Sequence, residues 1–194
     1  MRYSKEHKLE THARIVKKAS VRLREKGAHG VGVADLMEDA GLTHGGFYGH
    51  FGSKDDLAAE AVTRALEQSI KKQGRFTNLD DLVSDYMSER HRADRANGCP
   101  VAALGADVAR QGKGVRHALT AYVRAQLDRY ARLFRDGSAA SRRKRAIATL
   151  AGMIGALTLA RAVDDASLSD EILAAARDTF GKARFARRSV GRRS

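Results

Sequence analysis

Cysteine and proline each occur once in the 194 residues, and tryptophan not at all. The lone Cys99 excludes an intrachain disulfide framework and a cysteine-rich zinc site. The seven histidines form no H-x-x-x-H or H-E-x-x-H pair, and neither G-x-S-x-G nor a phosphate-cradling glycine loop is present. The sequence thus carries no metal, cofactor or hydrolase signature, and the reading expects no enzyme. The longest run free of charge, the fifteen residues Ala146 to Ala160, falls short of the roughly 20 apolar residues that a bilayer demands. It reads as a core or interface helix, so no membrane partner is expected. No secretory-type apolar leader follows Met1, which gives a cytoplasmic expectation. What the chain has in abundance is alanine, 33 residues, and with strand-forming aromatics scarce the intrinsic preferences predict an all-α protein.

The formal charge is +13, and its distribution matters more than its size. Residues 1–54 hold ten basic and six acidic residues, residues 181–194 six basic and none acidic, and the long middle is nearly balanced. Such terminal excess fits polyanion binding, and it also fits a solvated basic tail. The Arg, Gly and Ser of residues 185–194 predict a disordered tail.

Helical periodicity organises the rest. Ile15, Ala19 and Leu23 make an inward stripe on a first helix running from near Thr11, or from as early as Ser4, to Lys26, with Gly27 as its stop. Val33, Leu36, Met37 and Ala40 form a two-turn helix ended by Gly41. Thr43 then N-caps another short helix with Phe47 and Phe51 facing inward. Ser53 to Asp56 reads as S-x-x-D, the start of a long helix reaching about Gln73. Gly52 is therefore the expected boundary between a domain of residues 1–52 and one of residues 53–184. Further helices are predicted at about Leu79 to Arg92, Pro100 to Arg110, Val115 to Arg135, Ser141 to Val163 and Leu168 to Ala183, about nine in all. In the penultimate one Ile147, Leu150, Ile154 and Leu157 share a side, beside a strip thinned by Gly152 and Gly155. Ser167 and Asp170 are the predicted caps of the last.

Two short helices meeting through Gly41, Leu42 and Thr43, with a third behind them, form a helix-turn-helix arrangement. Leu23, Leu36, Phe47 and Phe51 brace the second short helix, leaving His44, Gly45, Gly46, Gly49 and His50 free for a major groove. A helical glycine costs about 1 kcal/mol relative to alanine. Three in this segment therefore indicate a close approach, either to DNA or to a neighbouring helix.

The run GLTHGGFYGHFGSKDDL, together with Ile15, Ala19, Gly27, Leu36, Ala40 and Gly41, resembles the N-terminal DNA-binding domain of the TetR (AcrR-type) transcriptional regulators. The resemblance covers about the first 60 residues. It implies that Thr43, Tyr48, His50 and Lys54 contact phosphates and that His44, Gly45 and Gly46 face bases of double-stranded DNA. A hydroxyl and a lysine at a helix start suit backbone clamping, although Tyr48 and His50 also suit packing roles. Gly32 stands where the family usually has a capping Ser or Thr, and Gly49 where a long side chain is common. The basic tail, or Arg2, Lys5 and Lys8, could compensate.

For the remainder the resemblance implies a helical effector-binding and dimerisation domain. The homodimer would pair residues 141–163 and 168–183 of two copies, consistent with the uncharged helix surface. Tyr86, Met87, His91, Cys99, Tyr122, Met153 and Leu157 are candidates to line a pocket for a small-molecule effector, or to be ordinary core. Cys99, just before Pro100, stands at or beside an N-cap where a thiol can be activated; it is a candidate sensor or a plain buried cysteine. The expected function is a ligand-responsive regulator, a repressor that releases its palindrome on binding an effector or on thiol modification. The alternatives are a sequence-indifferent architectural DNA-binding protein and, further off, a thiol enzyme pairing Cys99 with His91 or His117.

Overall fold

The computed structural model describes residues 5–27 and 30–181, and every regular element among them is helical. Arg2, Ala183 and the basic tail of residues 185–194 lie outside the described residues. Helix α1 (Lys5–Lys26) is already formed ahead of Thr11, and the candidate start at Ser4 lies outside the described residues. It ends where Gly27 takes a left-handed φ of 76° and donates its amide to the Leu23 carbonyl. Helix α2 (Val33–Asp39) follows. Gly41, at φ 71°, turns the chain out of α2 while the Leu42 amide returns to the Met37 carbonyl.

The next element, His44–Gly49, is a 3-10 helix and not the α-helix that Phe47 and Phe51 suggested. Glycines at three of its six positions lower α-helical preference, and the Gly46 and His50 amides bond three residues back, to Thr43 and Phe47. Both phenylalanines are buried as expected.

Helix α3 (Lys54–Gly74) begins at a side-chain cap, Ser53 accepting from the Asp56 amide at 3.1 Å. The predicted helix from Leu79 to Arg92 is two, α4 (Leu79–Tyr86) and α5 (Glu89–Ala93). Asn78 caps the first and Ser88, accepting from the His91 amide, caps the second and makes the break. Then come α6 (Pro100–Val108), α7 (Lys113–Leu133), α8 (Ala139–Ala162) and α9 (Ala166–Phe180). The cap of α9 is Asp165, which accepts from the Ser167 and Leu168 amides, rather than Ser167 or Asp170.

Two hydrophobic clusters hold the helices. One joins α1, α2, the 3-10 helix and the first half of α3 to Leu104 and Val108 of α6 and to Val115 and Tyr122 of α7. The other lies among α4, α7, α8 and α9. Arginines from the carboxyl-terminal helices satisfy the ends of earlier ones. Arg161 donates to the His91 and Arg92 carbonyls, Arg177 to that of Met87 and Arg129 to that of Phe76.

By length and composition α8 could cross a membrane, yet one face of it is core: Ala146, Thr149, Leu150, Met153, Leu157 and Ala160 are buried. Ile147 does not share that face, being 49% exposed. Gly152 receives α9, since a Cβ there would lie 2.2 Å from the Phe180 ring. Ile147, Ala151, Gly155 and Leu159, four apart, are all exposed.

Candidate functional site

The helix-turn-helix is clamped from behind and bare in front. Arg22 of α1 grips Asp39 of α2 with two hydrogen bonds, 2.5 Å from Nε and 2.7 Å from Nη2. That guanidinium holds the Asp39 carboxyl below its usual range. Phe47 is 1% exposed and meets Phe51 at 5.5 Å between ring centroids. On the opposite flank Thr43, His44, Gly45, Tyr48 and Gly49 are exposed, as is Lys54 in the first turn of α3. Tyr48 is 72% exposed, its ring steadied edge-on by Phe47, so its hydroxyl is held outward.

The glycines divide between the two roles left open. A Cβ on Gly45 or Gly49 would have nothing within 4 Å, whereas one on Gly46 would touch Met37 at 3.6 Å. Gly46 thus lies against α2 while Gly45 and Gly49 bare the outer flank. His50 is half-buried and its ring lies 6.1 Å from that of His12. Burial, with His12 and Lys8 adding to it, lowers its pKa. Thr43 and Gly32 occupy N-cap positions without a side-chain cap bond, and Lys5 and Lys8 lie exposed on α1.

A cavity of about 230 Å³ opens between the end of α1, the second half of α3, α4 and α5, and the loop before α6. Of the seven pocket candidates, Tyr86, His91 and Cys99 line it. Tyr122 stands behind the wall, hydrogen-bonded to the lining Ser69 at 3.0 Å. Met87, Met153 and Leu157 do not line it; they are fully buried in the second cluster, where apolar contact with α7 and α9 claims them. Arg24, Lys72 and Gln73 line it without having been anticipated.

Behind the wall runs a buried chain of polar groups. Gln126 donates to Gln73 at 2.6 Å and to Tyr122 at 3.2 Å, and Tyr130 donates to Gln73 at 3.1 Å. Burial holds both phenols above their usual range, so they stay neutral.

Both ring nitrogens of His91 are committed to backbone. Nδ1–H donates to the Tyr86 carbonyl at 2.7 Å, and Nε2 accepts the Cys99 amide at 3.0 Å. No ring nitrogen remains to take a proton from the Cys99 thiol, so this pair lacks the arrangement of an activated nucleophile. Gly98 lets the loop close over the imidazole, for a Cβ there would lie 2.7 Å from both Arg161 and the Asp94 carbonyl.

Burial lowers the His91 pKa against the Tyr86 bond, and Arg161 and Lys72 lower it further. Unfolded chain therefore takes up this proton first, near pH 6.5. The contribution is fully present above that pH and is lost as pH falls toward the lower folded value. Thermal unfolding of wild type is expected to weaken more steeply between pH 7 and 5 than that of His91→Gln; parallel curves would show that His91 carries no such linkage.

Among the described residues no group of three His, Cys, Asp or Glu converges to hold a metal.

The family model described as "Bacterial regulatory proteins, tetR family" matches residues 15–61. An uncharacterized HTH-type transcriptional regulator of Mycobacterium tuberculosis strain H37Rv is 29% identical over 160 residues, which span 76% of this chain and 82% of that protein. The HTH-type transcriptional regulator TtgR of Pseudomonas putida is 31% identical over 83 residues, 43% of this chain and 39% of that one. Among solved structures, a TetR transcriptional regulator from Chloroflexus aurantiacus superposes with a TM-score of 0.72 at 22% identity, covering 91% of this chain and 97% of that one. The regulatory protein TetR from Rhodobacter sphaeroides gives 0.62 at 26% identity, covering 88% and 97%. The matched segment lies on the clamped helix-turn-helix, so residues 15–61 are a DNA-binding domain of the tetR family of bacterial regulatory proteins, carried on a chain that shares the fold of TetR regulators along nearly its whole length.

Proposed function

We propose that the protein is a homodimeric repressor that holds a palindromic operator through residues 1–52 and releases it when a small effector enters the helical body, residues 53–184. The observation carrying this reading is the exposed flank Thr43, His44, Gly45, Tyr48 and Gly49 with Lys54 beside it, mounted on a buried Phe47 and Phe51. His44 is the longest side chain on the bare part of the flank and reads base edges. Thr43, Tyr48 and Lys54 hold phosphates, with the N-terminus of α3 adding its partial charge. His50 positions the flank from the α1 side, and Gly46 sets its distance from α2. Exposed Ile147, Ala151, Gly155 and Leu159 on α8, with Leu168 on α9, supply the surface through which two copies pair. Pairing spaces the two recognition elements about 34 Å apart, or a multiple of that distance.

Duplex titration tests the assignment. Tyr48→Phe and Lys54→Ala are expected to weaken binding to every sequence. The lysine change should lower the salt slope by about 1, and His44→Ala should relax base preference at a cost of about 1–3 kcal/mol. Unchanged affinity in all three defeats the assignment. Equal affinity of the wild type for a selected palindrome and for random duplex identifies an architectural DNA-binding protein instead.

A further inference from the structure

The strongest unexplained feature is a buried guanidinium at the cavity that Asp94 and Glu25 attract only through space, with no carboxylate in contact with it. Arg24 is 5% exposed, and among the described residues no ion pair engages it. Its one hydrogen bond, to Gln68, is long at 3.4 Å, and its Nε has no partner. Across the same cavity the Tyr86 hydroxyl, 4% exposed, also has no hydrogen-bond partner beside the Cys99 thiol. Lys72 adds a second cation at the rim, reaching the Asn97 carbonyl at 3.5 Å. The one lining carboxylate, Asp85, is already held by Arg75 and Arg90.

A buried guanidinium offers five donors in a planar fork, and leaving them unmatched is costly. A carboxylate matches that fork with two parallel bonds. It also accepts from a phenol hydroxyl placed opposite. The volume of about 230 Å³ lies below the ~300–1,000 Å³ of drug-sized sites, which limits the occupant to a small molecule.

We infer that this cavity binds a small organic carboxylate, its carboxyl group clasped by Arg24 and Lys72 and touched by the Tyr86 hydroxyl. The inference deepens the reading of the chain as an effector-released regulator and rests on it for the consequence. Arg24 belongs to α1, the helix whose Arg22 grips α2. An anion joining Arg24 to α3 and α4 therefore changes how the DNA-facing unit is held against the body.

Calorimetry on the full chain in chloride-free buffer, with benzoate and butyrate as probes and benzamide and benzylamine as uncharged and cationic controls, tests this. Both carboxylates are expected to bind, benzoate at least tenfold more tightly than benzamide, and benzylamine not to bind. Arg24→Met keeps the apolar stem and is expected to fold as wild type while losing the preference for benzoate over benzamide. Tyr86→Phe is expected to fold as wild type and bind benzoate several-fold more weakly. Equal binding of benzoate and benzamide, undiminished benzoate binding by Arg24→Met, or no binding of either carboxylate overturns the inference. Duplex affinity is measured separately without carboxylate. Its absence overturns the regulator reading and leaves the site standing, whereas benzoate binding that leaves duplex affinity unchanged overturns the coupling through α1.

Discussion

Gly45→Leu is expected to leave the fold intact and to weaken duplex binding about a hundredfold. A Cβ at this position meets nothing within 4 Å, so the isolated protein has no reason to resist the substitution, and helix propensity favours leucine over glycine. In the proposed complex the same atoms would occupy the gap through which the backbone nears the base edges. Losing that approach and the contacts around it is put at about 3 kcal/mol, the scale of one or two mismatched base pairs. Circular dichroism melting with fluorescence anisotropy on the operator checks both halves. Retained affinity would mean that another flank of the helix-turn-helix meets the duplex.

Gly155→Glu is the second large effect, and the same reasoning carries it at the other end of the molecule. This glycine also has open space around its Cβ position, and it is the centre of the exposed row Ile147, Ala151, Gly155, Leu159 on α8. In the proposed homodimer a carboxylate there in both copies would bring two like charges into one apolar contact. Sedimentation is expected to change from dimer to monomer while helix content is kept. Operator affinity should fall roughly 10²–10⁴-fold, because the second half-site no longer benefits from linkage to the first. A dimer that survives the change would place the pairing surface elsewhere.

The outer flank was legible in the sequence because a helix-turn-helix is local: its braces, Leu36, Phe47 and Phe51, lie within a few turns of its exposed residues, and all three are buried. What periodicity missed was the 3-10 geometry, where three glycines outweighed the four-residue spacing of the phenylalanines. The break at Ser88 was also hidden, since a cap inside a continuous helical pattern resembles a polar surface position. The cavity was half legible. Tyr86 and His91, candidates by bulk, and Cys99, a candidate by its thiol, line the cavity, while Met87, Met153 and Leu157, candidates by the same bulk, lie in the core. Arg24 carries a sequence signal of its own: Val16, Ser20 and Arg24 stand four apart beside the stripe Ile15, Ala19, Leu23, and all six are buried. A charged side chain continuing a buried row marks a site more sharply than another methionine does. Tyr122, Gln126 and Tyr130 are a second such row, with polar tips at four-residue spacing.

The hydrophobic cluster beneath the helix-turn-helix does not stop at Gly52 but runs on through Leu57 and Ala61 to Leu104, Val108 and Val115. A chimera that moved only the first fifty residues onto a foreign trunk would strand Ile15 and Leu23 without their cover. Exchanging operator preference between such proteins therefore requires transplanting the seam as well, or confining the swap to side chains on the outer flank.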